Sequence, residues 1–345
     1  MITAGQLEAL AEAAERFAAG ILELTARGNL QLRGIIDTSA VADAVSAAGL
    51  LPSPTHERVR NVVASPLSGR LGGVVDVRPW VKELDHAIQA TPDLARLPGR
   101  FWFSIDDGSA DVSGLAADVG VHAIDGETVA LLLAGRDTGV RLTPDQAVPT
   151  LITIANRFAK TRGNAWRISE LDDREALLTG FTPTHPAGDT FAPLSRPPVG
   201  WIEQDDGQVA LGAAIPLGVL SVRQAQFVAA IAAPVVITPW RSLLVCDLDE
   251  GVADASLRVL VPLGLVFDET SRWLEVSACV GSPGCERSRA DVRAEATRVA
   301  ESGDGAANRV HFVGCERACG SPPAGEVVVA TADGYRAIPR RGGPP

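Results

Sequence analysis

Apolar side chains in the first fifty residues follow a helical period, then an alternating one, then a helical one again. Residues 6–19 (QLEALAEAAERFAA) place Leu, Ala and Phe at helical spacing with acidic residues opposite, which predicts an amphipathic helix. ILELT and LQLRGI alternate as strands do, on either side of ARGN, and a second helix is predicted from Ser39 to Gly49. This order of helix, strand, strand and helix predicts a small α+β unit of ferredoxin-like type.

The rest of the chain indicates a mixed α/β layer structure and then a repetition. Short β-branched runs alternate with helical patterns at 80–90 and 145–162, and a stretch rich in Pro, Gly and Thr at 181–200 is typical of a connector. Beyond it, LGAAIPLGVL, SVRQAQFVAAIAA and VVITPWRSLLV predict strand, helix and strand. We therefore expect an internal duplication, in which Thr25-Ala26-Arg27 matches Thr238-Pro239-Trp240-Arg241.

Composition and charge exclude several classes of protein. Apolar residues make up 46% of 345 positions, which fits a globular enzyme and not a disordered chain. The net charge of −11 disfavours a nucleic-acid partner. The longest apolar stretch, 227–237, is interrupted by Pro234 and is shorter than the roughly 20 residues of a membrane span. Nearly all cations are arginine, which grips carboxylates in a bidentate fork.

Four cysteines near the C-terminus form two pairs. Cys279 and Cys285 stand as C-x5-C (CVGSPGC), and Cys315 and Cys319 follow as C-x3-C (CERAC) after 29 residues. Four thiolates are what a [4Fe–4S] cluster needs, one for each iron. Gly and Pro in both segments allow the backbone to bend around such a core. The spacing therefore predicts a redox protein.

Two other uses of these thiols, a zinc site and disulfide bonds, fit the sequence less well. Structural zinc sites usually have pairs spaced by two to four residues, so C-x5-C is wide for zinc. A disulfide framework is disfavoured because the chain is large, shows no signal peptide and has an odd cysteine, Cys246. Cys246 lies in the apolar run SLLVCDL, where a small buried hydrophobe is expected. Unpaired thiols of this kind predict a reducing, cytoplasmic location.

Polar residues of the segment TARGNLQLRGI are candidates for binding an anionic, planar ligand. Arg27, Asn29, Gln31 and Arg33 are all odd-numbered, so a continuous strand would place them on one face. An ordinary solvated strand face would show the same pattern. Further polar residues lie at loop-to-strand transitions, where sites are often built; they are Arg60 and Asn61 in RVRNVVASP and Arg100 in LPGRFWF.

These motifs together resemble those of the sirohaem-dependent nitrite and sulfite reductases. GCERACG with the two cysteine pairs resembles their cluster motif, TARGNLQLRGI their first repeat strand, RNVVASP the next loop and LPGRFWF their basic active-site stretch. The likeness spans roughly residues 5–335. It implies duplicated ferredoxin-like repeats with α/β haem-domain-like units around a pseudo-twofold axis, an α+β fold.

The resemblance also implies domain boundaries. The first repeat with the start of the first α/β unit would occupy 1–75, and the first α/β domain 76–180. A linker at 181–200 would lead to the second repeat at 201–255 and to an iron–sulfur α/β domain at 256–340.

Site roles follow from the same resemblance. Arg27 matches a reductase arginine that faces the macrocycle, and Arg60 another that binds anions. Arg100 falls on the first of two reductase lysines near the reacting anion, which makes Arg27 and Arg100 the catalytic candidates. Trp102 falls on the second lysine, and an indole cannot supply protons or charge to a small oxyanion. The expected substrate-binding set is Arg27, Asn29, Gln31, Arg33, Arg60, Asn61, Arg100 and Trp102.

Within the superfamily the likeness is greatest to the precorrin-3B synthases, for which TARGNLQLRG, LPGRFWFSIDDG and TPWR look typical. It implies hydroxylation of precorrin-3A by dioxygen and lactone formation, with electrons from a donor reaching the [4Fe–4S] cluster. Sirohaem would be a cofactor only in the alternative, a nitrite or sulfite reductase. A non-enzymatic iron–sulfur electron carrier or redox sensor is a third interpretation.

A mononuclear non-haem iron is also associated with this family, but the sequence identifies no ligand for it. None of the five histidines forms a close H-x-D/E pair, so for each a surface or structural role is expected. Asp106 and Asp107 (IDDG) predict a turn, with a carboxylate role toward pyrrole nitrogens as the alternative.

Overall fold

The computed structural model of the chain describes residues 1–188, 191–192, 194, 196–302, 309–322 and 324–339. The chain divides into two units, one formed by Met1–Leu50 with Ser195–Pro345 and the other by Leu51–Leu194. Positions 189, 190, 193 and 195 of the predicted linker, 303–308, 323 and 340 of the predicted iron–sulfur domain, and the tail 341–345 lie outside the described residues. The domain boundaries given above stay predictions.

The first unit begins with the predicted order of helix, strand, strand and helix. These elements are α1 (Ala4–Phe17), β1 (Ile21–Leu24), β2 (Leu30–Leu32) and α2 (Thr38–Ala47). Helix α1 buries Leu7, Leu10 and Ala14 on one face, as its apolar spacing predicts.

The second unit contains a five-stranded sheet with two longer helices. Its elements are β3 (Val62–Ala64), α3 (Arg78–Ala90), β4 (Phe103–Asp106), β5 (Val119–Ala123), β6 (Val129–Leu133), β7 (Arg136–Leu142) and α4 (Pro144–Thr161). The strands lie in the order β3-β4-β5-β6-β7, the first three parallel and the rest antiparallel. Fully buried rings of Phe101, Phe103 and Phe158 pack at centroid distances of 5.2 Å in its core.

The remainder of the first unit repeats the opening order and adds a further sheet. Its elements are β8 (Gly200–Glu203), β9 (Val209–Ala214), β10 (Val219–Ser221), α5 (Val222–Ala230), β11 (Val235–Ile237), β12 (Ser242–Leu248), α6 (Glu250–Leu260), β13 (Val276–Ala278), α7 (Val292–Ser302), β14 (Val310–Val313), β15 (Glu326–Thr331) and β16 (Gly334–Ile338). The sheets of this unit have the orders β10-β1-β2, β11-β12-β9-β8 and β13-β14-β15-β16.

Matching hydrogen bonds in the two repeats show the duplication. Thr3 caps α1 in a capping box with Gln6, and Ser221 caps α5 in a capping box with Gln224. The amide Nε2 of Gln6 then donates to the carbonyl of Ala48 at the end of α2 (3.2 Å), and that of Gln224 donates to the carbonyl of Leu263 beyond α6 (2.8 Å).

Strand pairing between the repeats is reciprocal. Strand β10, which precedes α5, pairs antiparallel with β1, and Ile2, which precedes α1, forms an antiparallel bridge with Val235 of β11. In each repeat, the segment before the first helix therefore pairs with the first strand of the other repeat. The predicted α+β class with duplicated ferredoxin-like repeats is confirmed.

The turn between the two strands has the same form in each repeat. Thr25 N donates to Asn29 O, and Thr238 N donates to Ser242 O. The third residue after each threonine has a left-handed backbone, with φ of 65° at Gly28 and 58° at Arg241. Arg241 therefore occupies the position of Gly28, and the sequence motifs TAR and TPWR match with an offset of one residue.

Candidate functional site

Two adjacent parallel strands carry the first cysteine of each pair to one edge of a sheet. Strands β13 and β14 pair in parallel with Ala278 opposite Phe312. Cys279 follows β13 directly, and Cys315 lies two residues beyond the end of β14. Because the carboxyl ends of parallel strands meet at the same sheet edge, both loops begin side by side, the usual place for a ligand in such sheets.

Backbone contacts hold the two cysteine loops together. Gly314 N donates to the Cys279 sulfur at 3.4 Å, and Arg289 N, in the segment after Cys285, donates to Gly314 O at 3.0 Å. A Cβ atom at Gly314 would lie 1.8 Å from Ser288 Oγ, so only glycine permits this approach. Hydrogen bonds from backbone amides to cysteine sulfur are among the contacts by which proteins tune iron–sulfur clusters.

His311 contacts the segment that carries the second cysteine pair. Its ring is fully buried on β14, with Nδ1 2.8 Å from Ser277 Oγ and Nε2 3.0 Å from the carbonyl oxygen of Cys319. The carbonyl can only accept, so Nε2 carries the proton and Nδ1 accepts from the serine. Burial, together with the charge of Arg241, lowers the pKa of His311 to about 4. Both ring nitrogens of His311 are thus engaged by the protein, and the surface or structural role expected for each histidine stays a prediction.

Arg241 is a site residue that the sequence had indicated only as part of the repeat. Its Nη2 donates to Gly320 O at 2.9 Å and its Nη1 to Ala278 O at 3.4 Å, which joins the ends of both cysteine segments. Burial lowers the pKa of Arg241, against the opposing influence of Glu23 and Cys279. The signal in the sequence was its place in TPWR, at the turn that matches TARG.

The donor set fits a [4Fe–4S] cluster. Cys279, Cys285, Cys315 and Cys319 are free thiols on two neighbouring loops, and Cys246 is a buried core residue of β12, as predicted. Among the described residues no three Cys, His, Asp or Glu side chains converge closely enough for a single metal ion. A cubane does not require such convergence, because each of its irons takes one thiolate. The four ligands remain predictions.

The segment TARGNLQLRGI is not a continuous strand. Arg27 and Asn29 lie in the turn, where both backbone amides point at Thr25 Oγ1 (3.3 and 3.1 Å), and β2 covers only Leu30–Leu32. The expectation that four polar side chains share one strand face is therefore wrong. A threonine hydroxyl that accepts from the backbone competes with the strand ladder, and Gly28 supplies the turn.

Gln31 and Arg33 lie near a buried acid. Arg33 forms an ion pair with Glu23, which is 6% exposed, and its Nη2 donates to Gln31 Oε1 at 3.1 Å. Because the Arg33 guanidinium already pairs with Glu23, fewer of its N–H donors remain for a ligand. The substrate-binding roles of Arg27, Asn29, Gln31 and Arg33 stay predictions.

Arg60 and Asn61 of the second unit are engaged within it. Arg60 makes a bidentate pair with Asp85 (2.6 and 3.1 Å) and a further bond to Glu57. Burial lowers the pKa of Arg60, but Asp85 and Glu57 raise it by more. The pKa of Arg60 is therefore higher than usual. Asn61 Nδ2 donates to backbone carbonyls, among them that of Phe101 at 3.1 Å.

Arg100 and Trp102 stand in contrasting environments. Arg100 is exposed, and its side chain makes no hydrogen bond or ion pair with the part of the chain that the structure describes. Trp102 is 6% exposed, its backbone N–H donates to Asp118 Oδ2 at 3.1 Å, and its ring lies 5.9 Å from the Arg167 guanidinium. Their predicted roles toward substrate stay predictions.

Asp106 organises a loop. It is fully buried and accepts the backbone N–H groups of Gly108, Ala110, Val112 and Ser113. Burial raises its pKa, but His122 and these backbone donors outweigh burial and lower it. The predicted turn is present, and its acid is satisfied by the backbone.

Asp111 in the same loop behaves oppositely. It accepts from Ser65 Oγ at 2.7 Å, and burial beside Asp106 and Asp107 raises its pKa to about 7. The pKa values of the two carboxyls in this loop thus move in opposite directions, because Asp106 faces His122 and several backbone donors while Asp111 is buried beside two other acids.

Comparison with known proteins agrees with the motifs. Residues 1–45 match the model of the nitrite/sulfite reductase ferredoxin-like half domain. A precorrin-3B synthase from Sinorhizobium sp. is 28% identical in an alignment of 354 positions that covers 97% of this chain and 76% of that protein. The structure of the Mycobacterium tuberculosis NirA protein matches with a TM-score of 0.76 and 21% identity, over 97% of this chain and 71% of that one.

Within the described ranges no helix combines the length and apolarity needed to cross a bilayer. The half-domain match and the relatives above confirm the resemblance of this chain to the nitrite and sulfite reductase superfamily, and within it to precorrin-3B synthase.

Proposed function

We propose that this protein hydroxylates the tetrapyrrole precorrin-3A with dioxygen and closes a lactone on it, to give precorrin-3B in aerobic cobalamin biosynthesis. The observation that carries the proposal is the relative named precorrin-3B synthase, which aligns with 97% of the chain. The resemblance in the sequence motifs supports the same assignment. The protein is then an oxidoreductase whose tetrapyrrole is a substrate.

Cys279, Cys285, Cys315 and Cys319 would hold a [4Fe–4S] cluster, which when bound supplies electrons singly. Monooxygenation places one atom of dioxygen in the substrate and releases the other as water, so it consumes two electrons and two protons. Those electrons come from an external donor. Gly314 N–H donates to the Cys279 sulfur, and Arg241 bonds to the carbonyls of Ala278 and Gly320, so these contacts would help to hold the two cysteine loops around the cluster.

Arginines would bind the carboxylates of the substrate. Arg27 and Arg100 are the proposed catalytic residues, and Arg100 is exposed with its guanidinium available for a bidentate contact. Arg33 and Arg60 already hold acids of the protein, so a substrate carboxylate would share them. Among the described residues no three Cys, His, Asp or Glu side chains converge on one point, so no protein ligand is proposed for a mononuclear iron.

The second candidate is a sirohaem-dependent nitrite or sulfite reductase, which the half-domain match at residues 1–45 favours. Trp102 counts against it. This residue stands where the reductases are expected to have a lysine, and its indole can neither deliver protons nor carry charge. Trp102 is 6% exposed, and its backbone N–H donates to Asp118.

Purified protein tests the proposal directly. Anaerobic analysis should find iron and acid-labile sulfide, and incubation with precorrin-3A, a reductant and labelled dioxygen should give a product with one labelled oxygen atom. Intense tetrapyrrole bands that survive dialysis, with no oxygenation, would support the reductase. Arg100→Ala should reduce turnover, and the exposed control Arg258→Ala should not. If turnover were unchanged in both variants, the substrate role of Arg100 would be wrong.

A further inference from the structure

A small pocket in the first unit combines two indoles with two guanidiniums. Its volume is about 100 Å³, and its walls include Trp240, Arg241, Trp273 and Arg309. Gly320, which directly follows Cys319, also lines it. The pocket therefore opens beside the second cysteine loop.

The charge in this pocket is only partly balanced by acids, because Glu23 acts on Arg241 without an ion-pair contact and Glu275 acts on Arg309. Arg241 bonds to backbone carbonyls and forms no ion pair with a carboxylate in the part of the chain that the structure describes. Arg309 lies 3.7 Å from Glu275 and donates to the carbonyl of Leu274, but Glu275 also binds Arg196 at 3.0 Å. Two arginines share that one acid. A partly buried guanidinium satisfied only by carbonyl dipoles favours an anion.

The backbone at Arg241 supports a binding role. Its φ of 58° is the left-handed conformation, which costs a non-glycine residue free energy. The matching position of the first repeat has Gly28, so the fold does not demand a side chain there. Here an arginine stands at a position that favours glycine, and its side chain contacts both cysteine segments and lines the pocket.

Size and lining limit what the pocket can take. About 100 Å³ holds roughly three water molecules and is well below the ~300–1,000 Å³ of pockets for large ligands. A macrocycle is excluded, but a single short acid arm fits. The indoles of Trp240 and Trp273 offer apolar faces to its methylene groups.

We infer that this pocket binds the carboxylate of one acetate- or propionate-type arm of the substrate, with Arg241 as the principal donor. This inference rests on the proposed tetrapyrrole substrate and adds a specific subsite to it. An arm held here would bring an edge of the substrate to the loop of Cys319. The subsite then selects substrates with an acid at that corner.

Propionate is the probe for a direct test. In protein with its cluster intact, at constant ionic strength, propionate should change the tryptophan fluorescence saturably, and the neutral isostere propionamide should not. Arg241→Gln should weaken propionate binding at least ~10-fold because a charged hydrogen bond is lost. Arg258→Gln, an exposed arginine of α6, is the matched control and should bind as the wild type does. Trp240→Phe and Trp273→Phe should each reduce the amplitude.

The results separate the subsite from the overall function. Equal responses to propionate and propionamide, or unchanged affinity in a folded Arg241→Gln protein, would overturn the inference. Arg241→Lys, which keeps the charge without the fork, should bind with intermediate affinity, and this variant decides the matter if Arg241→Gln does not fold. Propionate binding without precorrin-3A oxygenation would refute the proposed function alone. Oxygenation with the same KM in wild type and Arg241→Gln would refute the subsite alone.

Discussion

Arg293 donates a hydrogen bond to Glu23 at 2.6 Å, although 270 positions separate the two residues. Glu23 lies in β1 of the first repeat, and Arg293 lies in the first turn of α7, shortly after Cys285. Arg33 binds the other carboxylate oxygen. One buried acid thus ties the first repeat to the helix that follows the first cysteine loop.

Removing that acid should destabilise the protein strongly. Glu23→Ala leaves Arg293 partly buried and unpaired, and breaking a buried pair from one side costs about 3–5 kcal/mol. Urea unfolding should show this loss. The control is Glu316→Ala, which removes an ion pair whose side chains are 58% and 61% exposed and should cost at most ~1 kcal/mol. Equal losses in both variants would contradict a special role for Glu23.

Cluster content should depend on Cys315 and not on Cys246. Cys315→Ser replaces a proposed iron ligand, so iron, acid-labile sulfide and the broad visible absorption should fall together. Cys246→Ala changes a fully buried residue of β12 and should keep the iron and sulfide content, at a moderate cost in stability from the small cavity. Cluster loss in both variants would mean that the thiols are misassigned.

Arg60 and Arg100, both expected at the substrate, should separate in their effect on stability. Arg60→Ala breaks a bidentate pair with Asp85 and a bond to Glu57, so unfolding free energy should fall by about 1–3 kcal/mol. Arg100→Ala removes an exposed side chain and should change it by less than ~0.5 kcal/mol while raising the KM for precorrin-3A. Thermal unfolding with steady-state kinetics distinguishes the two. A raised KM in neither variant would remove both from the substrate site.

Local pattern predicted the parts of the fold that depend on neighbouring residues. The first helix, predicted at 6–19, is observed at Ala4–Phe17, and the cysteine spacing identified both loops. The prediction of a strand through Arg27 was wrong because the backbone N–H groups of Arg27 and Asn29 donate to the Thr25 hydroxyl, which forms a turn. Short-range hydrogen bonds of this kind override an alternating pattern.

Contacts between distant segments could not be read from the chain. The pairing of Arg60 with Asp85 joins a strand entry to the middle of a helix, and only the fold brings them together. The hydrogen bond between His311 and the carbonyl of Cys319 likewise depends on the register of β13 with β14. Arg241 could have been found by aligning the two turns through their threonines, since it then stands where a glycine is expected.

Stability should fall with rising pH through the titration of Asp111. Its folded pKa of about 7 lies above the ordinary 3.8 because the carboxyl is buried beside Asp106 and Asp107. The folded state therefore holds the proton more tightly, and the contribution is complete below pH ~4 and is lost as pH rises through ~7, by at most ~4 kcal/mol. Asp111→Asn keeps an oxygen for Ser65 and should be more stable than the wild type at pH 8 but not at pH 4. Urea unfolding at both pH values measures the difference, and Asp125→Asn, at an exposed turn, is the control. Parallel pH profiles for wild type and Asp111→Asn would show that this carboxyl does not bind its proton near neutral pH.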